Sequence, residues 1–273
     1  MSRGYAAIAA MLKMRSGLIL GPDKTYLLES RLSDLLKRER LSSLEALADR
    51  LTPNSALENE VVEAMTTNES LFFRDSKPFD ALRTRILPRL HAARPPGAKL
   101  RIWSAAASTG QEAYSIAMVL ADLAATLGKR ETDIIGTDIA RGPLARATAG
   151  LYTQFEIQRG LPMQMLVKHF VKEDGQWRAS AKLRSAVSFR EWNLLADPRA
   201  LGMFDVIFCR NVLIYFDAAT KKRVLEGMAK QLAADGVLFL GGAETVLGLT
   251  DALRPILGES GAYAPSPGLR KVA

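Results

Sequence analysis

The sequence predicts an α/β protein: a mainly parallel sheet with helices on both faces, preceded by a small all-helical domain. Two observations carry this. Up to residue 65 the apolar residues recur only at helical spacing, and no stretch alternates as a half-buried strand does. From residue 99 onward, short apolar strands alternate with striped helices, the pattern that a parallel sheet requires. The boundaries read from this change of texture are a helical domain over 1–70 and an α/β domain over 71–273.

In the first domain Leu28, Leu32, Leu35 and Leu36 form one helical stripe, with Arg31, Lys37, Arg38 and Arg40 among them. Ser42-x-x-Glu45 has the form of a capping box and opens a second helix carrying Leu44, Leu47, Ala48 and Leu51. Ser55-x-x-Glu58 opens a third, with Val61, Val62 and Met65. The chain then passes through the polar segment 66–77, and Pro78 starts a helix continued by Phe79, Leu82 and Ile86. In the second domain the predicted strands are Leu100–Trp103, Asp133–Thr137, Val187–Trp192, Phe204–Phe208 and Val237–Leu240. Ile116, Ala117, Leu120 and Leu123 stripe the helix after the first strand. Leu225, Met228, Ala229 and Leu232 stripe another, which Asp217 caps.

Composition bounds the function. The chain has 273 residues, 48% apolar and 24% charged, with mean hydropathy +0.02. No apolar run approaches the roughly 18–20 residues of a membrane span, and Met1–Ala10 has no signal-peptide core. The single cysteine, Cys209, fits a reducing compartment, so a cytoplasmic protein without direct membrane insertion is expected. Two histidines leave no material for a His/Cys metal site, and no metal is expected. The net charge of +8 is uneven: residues 66–99 carry 7 basic against 3 acidic, and residues 151–192 carry 7 against 4. Such surfaces attract polyanions or are simply solvated.

Ligands of parallel sheets bind beyond the carboxyl ends of the strands. After the first strand comes the small-residue loop Ser104–Gly110, which lets backbone amides approach a ligand ahead of a helix N-terminus. Glu112 lies in that helix's first turn. Asp138 ends the second strand, where a carboxylate holds ribose hydroxyls or caps a helix. Asn193-Leu194 follows the third strand, and Arg210-Asn211 with Tyr215 follows the fourth. Buried amides among apolar neighbours must find partners. Together these strand-end groups point to a nucleoside-containing ligand.

The same residues carry a family resemblance. The stretch Thr66-Thr67-Asn68-Glu69-Ser70-Leu71-Phe72-Phe73-Arg74-Asp75 resembles the linker signature of the CheR chemotaxis receptor methyltransferases. Trp103 to Met118 is similar to that family's S-adenosylmethionine loop. Gly136-Thr137-Asp138-Ile139, Asn193-Leu194-Leu195, Phe204 to Asp217 and Gly241-Gly242-Ala243-Glu244 follow in the family's order. Ser70 stands where Thr is usual, Gln111 where Glu is usual and Ala113 where Pro is usual.

The resemblance implies a Rossmann-like S-adenosylmethionine methyltransferase sheet with an N-terminal helical domain and a small antiparallel β subdomain inserted at about 163–190. It implies methyl transfer from S-adenosylmethionine to glutamates on the cytoplasmic methylation helices of chemoreceptors, leaving S-adenosylhomocysteine. Asp138 would hold the ribose. Asn68, Ser70, Arg74, Glu112, Asn193, Leu194, Arg210 and Asn211 would surround the rest of the cofactor. Arg74 and Tyr215 would act on the reacting carboxylate. That carboxylate is already ionised at neutral pH, so the lack of a general-base dyad is no objection. The partners expected are the Glu-rich receptor helices, with no nucleic acid, and the protein is expected to be a monomer. Arg31, Lys37, Arg38 and Arg40 either read those helices or form an ordinary solvated face. The hairpin Val171–Arg178 is short and holds one glycine, so it is expected to close tightly and not to bind a receptor-tail peptide. The alternatives are a methyltransferase acting on RNA and a non-catalytic S-adenosylmethionine sensor.

Overall fold

The computed structural model describes residues 2–128 and 130–267. The chain divides into two compact units, Met1–Thr67 with Tyr215–Thr220, and Asn68–Ile214 with Lys221–Ala273. No helix among the described residues is long and apolar enough to cross a membrane.

The helical unit holds α1 (Arg3–Ser16), α2 (Thr25–Arg38), α3 (Leu44–Arg50) and α4 (Ala56–Met65). Its core is Tyr5, Ile8, Leu12, Leu28, Leu32, Leu47 and Val61, all fully buried. In α1 alanines blur the apolar stripe, but Ser2 caps its start and Gly17 ends it in a left-handed turn. The cap of α3 is Ser43, one residue later than the Ser42-x-x-Glu45 pattern suggests. Ser43 Oγ accepts the Ala46 N–H at 3.1 Å, while Glu45 accepts from the Gly4 N–H at 3.2 Å instead of closing a box. For α4 the sequence pattern holds, with the Glu58 N–H donating to Ser55 Oγ at 3.1 Å.

The basic residues of α2 have partners within this unit. Arg31 donates to the carbonyls of Met65 and Thr66 at 2.7 and 2.9 Å, capping the C-terminus of α4. Arg38 pairs with Glu60 and Lys37 lies 3.5 Å from Asp34. Arg31 is thus committed to the fold, while Arg38 and Lys37 remain exposed beside acidic neighbours.

The second unit begins with α5 (Lys77–Ala81) and α6 (Leu87–Ala93), joined by a π-helical turn over Leu82–Ile86. Pro88 explains the turn. Its ring has no N–H and clashes with the carbonyl four residues back, and the wider turn, in which the Leu87 N–H reaches Leu82 O, relieves both. There follow β1 (Leu100–Ala105), α7 (Gln111–Leu127), β2 (Thr132–Asp138), α8 (Arg141–Ala149), β3 (Leu151–Tyr152), α9 (Gln154–Gln158) and α10 (Met163–His169). Next come β4 (Phe170–Glu173), β5 (Gln176–Ala179), α11 (Ala181–Ser185), β6 (Val187–Glu191), β7 (Phe204–Cys209), α12 (Ala218–Gln231), β8 (Leu232–Leu240), β9 (Leu253–Pro255) and β10 (Ala262–Pro265).

Seven strands form one sheet in the order β6-β2-β1-β7-β8-β10-β9. The first five run parallel, and β10 is antiparallel to both β8 and β9. The five predicted strands are the parallel ones. The order reverses between β1 and β7, and a crevice at their carboxyl ends is where such sheets bind ligands. The small sheet, β3-β5-β4, is antiparallel and begins at Leu151, earlier than the insertion bounds read from sequence; β6 belongs to the main sheet. In its hairpin Asp174 and Gly175 both take positive φ, 47° and 79°, the conformation of a two-residue turn that continues the twist of its strands.

Candidate functional site

The loop leaving β1 folds onto the end of β2. Ala106 and Ser108 hold left-handed backbone at φ 60° and 50°, a conformation that any side chain bearing a Cβ adopts at some cost. The Ala107 N–H donates to Thr137 O at 2.8 Å and the Ser108 N–H to Asp138 Oδ2 at 2.8 Å. Asp138 is buried, and its Oδ1 accepts the Ala140 N–H at 3.0 Å. Its carboxylate thus organises both flanking loops.

The loop delivers Glu112 to the first turn of α7. Ser104 Oγ donates to Glu112 Oε1 at 2.8 Å, and Arg210 Nη1 donates to Glu112 Oε2 at 3.1 Å. Burial pushes the Glu112 carboxyl above its usual range, with Arg210 pulling the other way. Arg210 follows β7 directly, with its side chain 2% exposed. Its Nη2 donates to Arg74 O at 2.9 Å and to Asp75 Oδ2 at 2.8 Å, and the guanidinium lies over the Phe79 ring. The Arg210 Nε is buried with no partner among the described residues.

The segment Asn68–Asp75 is held at several points. Asn68 O accepts Ser108 Oγ at 2.7 Å, and Arg159 pairs with Glu69 at 2.7 Å. Phe72 is fully buried, edge-on to Tyr152 and Phe170 with ring centroids 5.0 and 5.5 Å apart. Gly160 makes this possible: a Cβ there would stand 2.2 Å from Phe72 O. Ser70 sits half-buried between these anchors. Phe73 and Asp75 flank Arg74 with left-handed backbone, φ 50° and 55°. Strain of this kind persists only where surrounding contacts over-determine it. The Phe73 N–H donating to Ser115 Oγ at 3.0 Å, with the two Arg210 bonds, supplies those contacts. The Arg74 guanidinium itself makes no hydrogen bond or ion pair among the described residues, although its charge helps to lower the Glu69 pKa.

Asn211 has φ 60°, and its backbone is fixed by a residue that sequence reasoning noted only as part of a motif. Glu244 Oε2 accepts the N–H groups of Asn211 and Gly241 at 2.8 and 2.7 Å. Its Oε1 accepts those of Val212 and Leu213 at 2.9 and 2.7 Å. Gly241 must be glycine, because a Cβ would lie 2.8 Å from Glu244 Oε2 and 2.9 Å from Asn211 N. The available signal was chemical: a carboxylate beside Leu-Phe-Leu-Gly-Gly has to find donors if it is buried. Ser104, Ser108 and Asp75 were also not singled out.

Hydrogen bonds therefore join Asn68, Asp138 and the β1 loop into one network, and Arg74, Glu112 and Arg210 into another. Asn193 follows β6 and its Oδ1 accepts the Leu195 N–H at 2.9 Å, the turn-forming role of a loop asparagine. Leu194 lines a cavity of about 520 Å³ with Trp103 and Met228. Tyr215 belongs to the helical unit, where its carbonyl accepts the Ile19 N–H at 2.9 Å. Cys209 is fully buried and its thiol pKa is pushed well up by burial, then by Glu244 and Glu112, as an inert strand residue should be.

Comparison with known proteins gives this arrangement a family. Residues 68–261 match the SAM binding domain of CheR methyltransferase, and residues 3–66 match the all-alpha domain of the same methyltransferase. The chain is 42% identical over 253 residues to chemotaxis protein methyltransferase Cher2 of Pseudomonas putida, covering 90% of this chain and 92% of that protein. It is 43% identical over 252 residues to chemotaxis protein methyltransferase 1 of Pseudomonas aeruginosa, covering 90% and 92%. It is 41% identical to the Vibrio cholerae protein of that name over 255 residues, covering 90% of each. With both domains matched in order and its cofactor thereby S-adenosylmethionine, the chain belongs to the CheR family of chemotaxis methyltransferases.

Proposed function

We propose that this enzyme transfers the methyl group of S-adenosylmethionine to glutamate side chains on the cytoplasmic helices of chemoreceptors, forming methyl esters, and that it works in the cytoplasm as a monomer. The observation that carries the substrate reading is Arg74: a guanidinium with no hydrogen bond of its own, on a loop fixed through Arg210 beside the cofactor crevice. A guanidinium orients a carboxylate by a two-pronged contact. The residues fit the cofactor on their chemistry. Asp138 sets a buried carboxylate at the end of β2, where ribose hydroxyls would donate to it. Arg210 keeps a buried Nε–H without a partner among the described residues, and the small-residue loop admits close approach.

When bound, S-adenosylmethionine supplies a methyl group on a sulfonium. The protein's part is then positioning and exclusion of water. Asp138 holds the ribose. Glu112, Arg210, Asn211, Asn193, Leu194, Asn68 and Ser70 surround the remainder. Arg74 would orient the incoming carboxylate, and Tyr215 is the residue proposed to contribute a hydroxyl to it. Methyl-labelled cofactor with a receptor cytoplasmic fragment tests the reading: the label should enter the fragment and be released by mild alkali, as an ester is. Label in RNA and none in the receptor would overturn it.

Asp138→Ala is expected to weaken cofactor binding by about 1.5–3 kcal/mol, the range for a hydrogen bond to a charged group. Unchanged affinity by calorimetry would remove Asp138 from the ribose.

Docking without a receptor-tail tether is part of the proposal, because the Asp174-Gly175 turn closes the hairpin tightly. Lys172 and Lys182 keep their charge free of ion pairs among the described residues, whereas Lys168 pairs with Asp122 and Arg178 with Glu173. Against it, β4 is the outer strand of its sheet, and an outer strand is what strand addition uses. Titration with a receptor-tail peptide is expected to give no saturable heat. Micromolar binding near one per chain would show that the edge is used.

A further inference from the structure

At the end of the sheet opposite the cofactor crevice lies a cavity of about 530 Å³, within the size range of small-molecule sites. Leu100 and Thr132, which begin β1 and β2, form its floor, and Leu120 and Leu123 of α7 and Leu183 of α11 line it. Its polar groups are one-sided. Arg130, Lys182 and both histidines of the chain line it, and among the described residues no acidic one does.

The Arg130 guanidinium donates only to neutral acceptors: the carbonyls of Pro95, Ala98, His91 and Arg94 at 3.1, 2.6, 3.2 and 3.3 Å, and His91 Nδ1 at 3.2 Å. Among the described residues neither Arg130 nor Lys182 has a carboxylate partner. The nearby Asp122 is spent on Lys168 at 2.5 Å and on Arg83 at 4.0 Å. His169 is 8% exposed, and its Nε2 is buried without a partner. Burial, then Lys168, holds its imidazole below the usual pKa, so it is neutral and offers one N–H. Aliphatic walls with uncompensated positive charge and an unsatisfied imidazole nitrogen describe an amphipathic anion.

We propose that this cavity is a binding site for an aliphatic carboxylate, its hydrocarbon chain lying among the leucines and its carboxylate directed to Lys182 and His169. The site is separate from the cofactor crevice, and it shares α7 with it. Calorimetry on the full chain with decanoate, and with decan-1-ol as the uncharged counterpart, tests the proposal. Decanoate should bind at one per chain with a micromolar dissociation constant, and decan-1-ol at least tenfold more weakly. Lys182→Glu, a surface change that leaves the fold intact, should weaken decanoate at least tenfold, and Ala121→Phe, which fills the cavity, should abolish binding. Equal binding of acid and alcohol, non-saturating uptake of several decanoates, or undiminished binding by Lys182→Glu would each overturn it. The unfolding midpoint of Ala121→Phe checks that this variant is folded, and Lys182→Glu with the alcohol comparison decides the matter if it is not.

Discussion

Glu244→Ala is expected to destabilise the α/β unit by about 3–5 kcal/mol, because each buried N–H left without an acceptor costs about 1–3 kcal/mol. Four backbone N–H groups would lose their acceptor, those of Leu213 and Gly241 in a buried setting and those of Asn211 and Val212 in a part-buried one. The left-handed backbone of Asn211 would lose what holds it, so cofactor affinity should fall as well. Glu244→Gln keeps one acceptor oxygen but turns an amide toward the remaining donors, and should give an intermediate loss. Urea unfolding followed by tryptophan fluorescence measures both. A loss below about 1 kcal/mol, the net value of one ordinary hydrogen bond, would mean that solvent replaces the carboxylate and that it is not the anchor.

Arg74→Ala should lower methyl transfer about 100-fold, the size of effect that misplacing a reactant brings, while cofactor affinity changes little. The side chain is not spent on the fold, since only the Arg74 carbonyl bonds to Arg210, and the backbone bond survives truncation. Tyr215→Phe removes one hydroxyl contact and should slow transfer by up to about tenfold. Turnover on a receptor fragment at saturating cofactor reads both. If both variants methylate at the wild-type rate, neither residue orients the substrate.

β1, β2 and β7 were legible because each is a short, mainly apolar run between turn signals, buried in the middle of the sheet. β6, the edge strand, exposes most of its residues and shows only Val187 and Phe189 as apolar positions. β3, β9 and β10 were not legible: two to four residues long, they are defined by their partners and carry no periodicity of their own. The strand-end residues Asp138, Glu112 and Arg210 were readable because a polar group after a buried strand is out of place without a task. Their mutual pairing was not, since Glu112 and Arg210 lie 98 positions apart and meet only through the β1–β7 neighbourhood. Ser42 misled as a cap because two serines stand side by side, and the geometry of Glu45 against Gly4 selects the second.

The buried thiol has a practical consequence. Cys209 is the chain's one cysteine and lies in a central strand between β1 and β8. An alkylating reagent can reach it only when the sheet opens, so the rate of modification in native buffer reports the free energy of that opening, not loop breathing. A ligand that binds only the closed form slows alkylation in proportion to its occupancy, and on the proposed reading of Arg210, the next residue, S-adenosylmethionine is such a ligand. The wild-type chain thus carries its own reporter: a single mass shift counts opened molecules, without any substitution or fluorophore.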